Sequence, residues 1–135
     1  MMHIGPITDF SQKKINKMDM QSFAQLKKKL RSEENYTFKV VSDSMAPIIN
    51  VGDEIKVDLS TKEFSVFDII VFLQNEKLVC HVVLKKQSEF EPGSIITAPY
   101  KYSKLDFPVA PDCILGLVSS HKLSLFNKLV FTFRK

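Results

Sequence analysis

The spacing of apolar residues changes character once along the chain. Over residues 19–31 the positions Met20, Phe23, Ala24 and Leu30 recur near helical spacing, with Leu26 slightly off the stripe. This predicts one amphipathic helix of about three turns. Asp19 is placed to cap its first turn, and the lysines near its far end suit the negative pole of the helix dipole. From Tyr36 the period drops to two. Residues 36–41 alternate and are rich in β-formers, and residues 54–59 put Ile55, Val57 and Leu59 on one face. Residues 67–72 form a more continuous apolar run, as expected of a strand covered on both faces. Asn75-Glu76 turns the chain into a strand over residues 77–84, which makes a β-hairpin. Pro92-Gly93 turns it again before a short strand over residues 94–97, and residues 99–111 are a loop with three prolines. Residues 113–118 read as a closing strand. The tail, with Leu125, Phe126, Leu129, Val130 and Phe133, fits either a helix capped by Ser124 or a last strand. Residues 1–10 carry Gly5 and Pro6 without periodicity and are expected to be a loose arm. The fold class expected is mainly β with one N-terminal helix: an arm and helix over residues 1–35, packed on a β domain over residues 36–135.

Composition adds bounds. A chain of 135 residues with 44% hydrophobic and 25% charged residues suffices for one domain with its own core. Cys80 and Cys113 lie in apolar runs and not in a spaced framework, so a reducing compartment and no structural metal or other cofactor are expected. The net charge of +4 owes much to Lys13, Lys14, Lys17, Lys27, Lys28, Lys29 and Arg31. Without interleaved aromatics this cluster reads as a solvated helix face, and no nucleic-acid partner is expected. No apolar run is long enough to span a membrane, and the N-terminus lacks the pattern of a secretory signal; a cytoplasmic location is the expectation. The tail sets its apolar residues beside Lys122, Lys128, Arg134 and Lys135. That composition suits peripheral contact with a membrane surface as well as a place in the core or in a dimer contact.

The stretch with chemistry in it is Ser42-Asp43-Ser44-Met45-Ala46-Pro47, directly ahead of Val51-Gly52-Asp53. A hydroxyl flanked by turn formers and closed by Met and Pro suits a nucleophile held on a fixed bend, here Ser44; it also suits an ordinary turn. A serine nucleophile needs a base and the base needs an orienting group. His81 is the histidine inside the strand pattern.

The order of these motifs, continued by Phe67-Asp68-Ile69-Ile70-Val71-Phe72 and Leu78-Val79-Cys80-His81-Val82-Val83, resembles the type I signal peptidase superfamily, whose catalytic fold is shared by the self-cleaving repressors of the SOS response. That family carries Ser-x-Ser-Met-x-Pro, a Gly-Asp turn, a Gly-Asp-Ile-Val-Val-Phe strand and a strand holding the general base. Bacterial signal peptidases and the repressors use a lysine there. Residues 78–83 look like the histidine form of the endoplasmic-reticulum and archaeal enzymes. These relatives set an aspartate about 25 residues past the histidine, where Asp106 stands, and Ile114-Leu115-Gly116-Leu117-Val118 is similar to their closing strand.

The resemblance implies Ser44 as nucleophile, His81 as base and Asp106 as its orienting acid, with the Ser44 backbone N–H and the Ser42 hydroxyl meeting the oxyanion. It implies a serine endopeptidase acting on a precursor or leader peptide, bound extended beside the nucleophile with small side chains before the cut. A non-catalytic peptide-binding module and a self-cleaving switch are the alternatives. Three positions depart from the family pattern: Ala98-Pro99-Tyr100 replaces a Gly-Asp box, Val82 follows the base where arginine is usual, and Phe67 stands where glycine opens the strand.

Overall fold

The computed structural model describes residues 3–4, 19–30, 35–61, 63–86, 93–101, 104–106 and 108–133. Its strands are β1 (His3–Ile4), β2 (Asn35–Lys39), β3 (Glu54–Asp58), β4 (Ile69–Gln74), β5 (Lys77–Lys86), β6 (Ile95–Ala98) and β7 (Ile114–Val118). Helix α1 spans Met20–Leu30 and helix α2 spans Leu125–Phe133. The strands form one sheet in the order β1-β2-β3-β7-β4-β5-β6. Strands β2 to β7 are antiparallel to their neighbours, and β1 joins the edge parallel to β2. The fold is mainly β, as the alternating pattern required. His3–Ile4 corrects the expectation of a loose arm at that point; the other arm residues lie outside those described, as do Ser32, Glu33, Glu34 and Pro92.

Strand β4 is central, between β7 and β5, and its two faces feed two clusters. Ile69 and Val71 join Phe23 and Leu30 of α1, Phe38, Ile55, Val57 and Val82 in the larger one. Ile70 and Phe72 join Phe64, Val83, Ile95, Val109 and Ile114 in the other. This is why residues 69–72 read as an unbroken apolar run: each side chain is buried, whichever face it takes. The β4–β5 turn is the two-residue loop Asn75-Glu76 with both residues at positive φ, 50° and 64°, the twist that suits a tight hairpin. Asp19 caps α1, its carboxylate accepting from the Ser22 N–H at 2.8 Å.

The tail is a helix. Ser124 Oγ accepts from the Asn127 N–H at 3.1 Å, and the Asn127 side chain reaches back to the Ser124 N–H at 3.3 Å, a reciprocal cap that a strand would not need. Phe131 is the inward anchor of α2, edge-on to Tyr100 at 5.3 Å between ring centroids, and the Asn127 amide donates to the Tyr100 hydroxyl at 2.9 Å.

Phe67, which stands where the resemblance sets a glycine, takes a backbone conformation that glycine adopts most readily: its φ is +78°. An L-residue there costs about 1–2 kcal/mol. The conformation is held by its N–H donating to the Val83 carbonyl at 2.6 Å, and its ring lies 6.5 Å from that of Phe131. Side-chain contact with α2 thus accompanies the strain.

Where β7 crosses β3, Gly116 has no room for a side chain. A Cβ would lie 2.5 Å from the Asp58 carbonyl oxygen and 2.8 Å from Val57 Cγ1. Gly116→Ala is therefore expected to destabilise the fold by about 1–3 kcal/mol, read as a lower urea midpoint, whereas Gly93→Ala, with Pro111 at an ordinary 3.5 Å, is expected to show only the strain of its positive φ.

Candidate active site

The segment between β2 and β3 is a closed excursion. The Val40 N–H donates to the Asp53 carbonyl at 2.8 Å, and the Gly52 N–H donates back to the Val40 carbonyl at 2.8 Å. Gly52 sits at φ +96° with open space around it, so the backbone turn and not packing asks for glycine. Asp53 also accepts from the Asn50 N–H at 2.8 Å. With its ends tied, the excursion is anchored inside by Met45 and Ile49, both buried in the larger cluster. Ala46, Ile48 and Ile49 donate to carbonyls of Asp43 and Met45 in successive tight turns. Met45, next to Ser44 in sequence, is buried in that larger cluster.

Ser44 is held from two sides. Its carbonyl accepts from the Lys101 N–H at 2.9 Å, and the Lys101 ammonium meets the Asp43 carboxylate at 2.7 Å. Its own N–H donates to Ser42 Oγ at 3.2 Å. The two groups expected to meet an oxyanion are thus neighbours, and the Ser42 hydroxyl hydrogen is left to point elsewhere.

His81 lies on β5 opposite Ile70, its ring edge-on to Phe72 at 5.8 Å between centroids. Its Nε2 is 3.2 Å from Ser44 Oγ, and its Nδ1 is 2.6 Å from Asp106 Oδ2. The side chains of His81 and Asp106 are only 9% and 11% exposed. Asp106 comes from the proline-rich loop, which is far from free. The Asp106 N–H donates to the Thr97 carbonyl at 2.8 Å, and further along Ile95 and Val109 exchange two backbone hydrogen bonds. The loop folds back along β6 and delivers the carboxylate to His81. The Thr97 hydroxyl completes the tie, donating to Asp106 Oδ2 at 2.6 Å.

Burial pushes the Asp106 carboxyl up, but the hydrogen bond and charge of His81, with the Thr97 hydroxyl and the Gln74 side chain, outweigh it. They hold the carboxyl below its ordinary value. An ionised acceptor at Asp106 favours the tautomer with the proton on Nδ1, leaving Nε2 to accept the Ser44 O–H. The three residues therefore form a continuous path for a proton from hydroxyl to imidazole.

Beside this path lies a pocket of about 120 Å³ between residues 40–45 and 78–81, its walls including Val40, Met45, Ile49, Leu78 and Val79. Strand β6 pairs with β5 only from Val82 onward, so the outer edge of residues 78–81 borders this pocket. Cys80 is a free thiol in its lining, and burial pushes that thiol up to about 12, so it stays protonated near neutral pH. Among the described residues no group of three His, Cys, Asp or Glu side chains is placed to hold a metal ion.

Ser42, Ser44, His81 and Asp106 are thus brought together. Thr97, Gln74 and Lys101 were missed by the sequence reading. Thr97 alone had a signal, a polar residue inside an otherwise apolar strand.

Because Asp106 is held below its ordinary value, its contribution to stability is full above the unfolded carboxylate value and is lost as pH falls through the lower folded value. Thr97→Val removes one of the bonds that depress it. The acid limb of the unfolding curve is expected to move to higher pH in Thr97→Val, and Asp106→Asn to lose this contribution altogether; urea unfolding between pH 2 and 6 reads both, and an unmoved limb in Thr97→Val would contradict the assignment.

The family model described as Peptidase S24-like matches residues 7–98, which include Ser42, Ser44 and His81 and stop short of Asp106. No curated protein and no solved structure matches the chain. With the match covering well over half the sequence, the chain belongs to the Peptidase S24-like family.

Proposed function

We propose that this protein is a serine endopeptidase of the Ser-His-Asp type that cleaves an extended segment of a precursor or leader peptide. The observation that carries the reading is the unbroken chain from Ser44 Oγ through both ring nitrogens of His81 to Asp106, at 3.2 and 2.6 Å. His81 takes the Ser44 proton on Nε2 as Oγ bonds to the scissile carbonyl carbon, and Asp106 stabilises the imidazolium that results. His81 then gives that proton to the leaving amine as the C–N bond breaks. Water, activated by the same nitrogen, releases the acyl group from Ser44. The Ser44 N–H, turning from Ser42 Oγ, and the Ser42 hydroxyl receive the oxyanion.

The open edge of residues 78–81 suits an extended peptide added as a strand, main-chain bonds giving affinity and the adjoining pocket choosing the side chain. At about 120 Å³ and mostly apolar walls, the pocket fits a small aliphatic side chain next to the cut. A histidine base with an aspartate partner favours kinship with the endoplasmic-reticulum and archaeal branch of the signal peptidase superfamily over its lysine-based members. A self-cleaving, repressor-like switch is the second reading, which the Peptidase S24-like match supports as well.

Labelling by a fluorophosphonate probe tests the assignment. The wild type is expected to label at Ser44, with labelling abolished in Ser44→Ala and slowed at least about 10³-fold in His81→Ala. Asp106→Asn is expected to lose up to about 10⁴-fold by fixing the wrong tautomer. A folded wild type that labels no faster than Ser44→Ala would favour the peptide-binding module.

A further inference from the structure

Helix α2 is apolar on both sides, and only one side is covered. Phe131 is buried and Val130 partly so against the core, whereas Leu125, Phe126, Leu129 and Phe133 are 75, 70, 44 and 75% exposed. At about 100° per residue these four fall within an arc of about 100°, with Phe131 roughly opposite. They are a continuous stripe and not scattered surface residues. Phe126 and Phe133 are the most exposed aromatic side chains among the described residues.

Charge names the occupant. From Cys113 to Lys135 the sequence contains Lys122, Lys128, Arg134 and Lys135 and neither Asp nor Glu. Lys122 and Lys128 line a cleft of about 380 Å³ beside α2, together with His121, Phe67 and the exposed Val66. Asp68 also lines this cleft, its carboxylate already accepting the Ser65 N–H at 2.7 Å. A second copy docked through the same stripe would bring the same acid-free segment, and so no carboxylate from residues 113–135 to pair with these lysines. An anionic surface, in contrast, pairs with them while the stripe leaves water.

We propose that α2 is an interfacial anchor: its outward stripe of Leu125, Phe126, Leu129 and Phe133 inserts into the surface of an anionic phospholipid bilayer, with Lys122 and Lys128 against the headgroup phosphates. A helix of this length does not span; among the described residues no helix is long and apolar enough to cross a membrane. It lies in the interfacial plane, with the body of the domain on the aqueous side. Through Asn127 and Tyr100 the anchor reaches the residue next to Lys101, which holds the Ser44 carbonyl, so the bound surface and the candidate site are linked by a short run of chain.

Co-sedimentation of the full chain with vesicles tests this. Wild type is expected to bind phosphatidylcholine vesicles containing phosphatidylserine at least about tenfold more tightly than phosphatidylcholine alone, and to weaken as salt rises. Phe126→Glu/Phe133→Glu, changing two outward side chains, is expected to lose at least about tenfold with its melting temperature kept. Lys122→Gln/Lys128→Gln is expected to lose about 30-fold toward the anionic vesicles. Ser44→Ala is expected to bind as wild type does, which separates this result from the peptidase reading. Absence of wild-type binding to anionic vesicles, binding unchanged in Phe126→Glu/Phe133→Glu, or a lipid-indifferent dimer that the same variant dissociates would overturn the proposal, the last in favour of a second copy.

Discussion

The 2.6 Å contact between His81 Nδ1 and the Asp106 carboxylate is the constraint on which the arrangement turns. Without it the imidazole is a polar ring on a buried strand, and Ser44 is a hydroxyl on a surface bend. Keeping a carboxylate ionised at 11% exposure requires donors, and His81, Thr97 and Gln74 supply them. The sheet supports this through β5, which carries His81, and β6, which carries Thr97 and receives the returning loop. The tied ends at Val40 and Asp53 fix the third participant from the opposite side.

Much of this architecture was legible in the sequence because it follows from period and turn chemistry. Residues 69–72 read as a doubly covered strand, Asn75-Glu76 as a hairpin turn and Asp19 as a cap, since each depends on neighbours in sequence. The nature of the tail was not legible. Its apolar residues occupy both the inward and the outward side of α2, which blurs the single stripe by which a helix is read. The structure opens the helix with a reciprocal Ser124–Asn127 cap. His3–Ile4 was missed because a two-residue parallel pairing leaves no periodicity to find.

At the site, Ser44 and His81 were legible through the order of motifs, and Asp106 only through a count of residues from His81. What makes Asp106 more than a loop carboxylate is a fold-back invisible in one dimension: its backbone tie to Thr97 and the two bonds between Ile95 and Val109. Thr97 and Gln74 come from different strands and meet at one carboxylate, so no spacing rule reports them. At Phe67, where the resemblance sets a glycine, the backbone takes a positive φ of 78°, and the ring packs toward α2. The helix with the outward apolar stripe is therefore joined to the start of β4 as well as to Tyr100.

The proposed peptidase chemistry requires Ser44 to form a covalent intermediate through His81. The most direct measurement is intact-mass analysis after acid quench of the protein mixed with an activated ester of a small aliphatic acyl group. One acyl group per chain, mapped to the peptide containing Ser44 and absent in His81→Ala, is the result predicted. An unmodified wild-type chain, or an adduct that persists in His81→Ala at the wild-type rate, would contradict it.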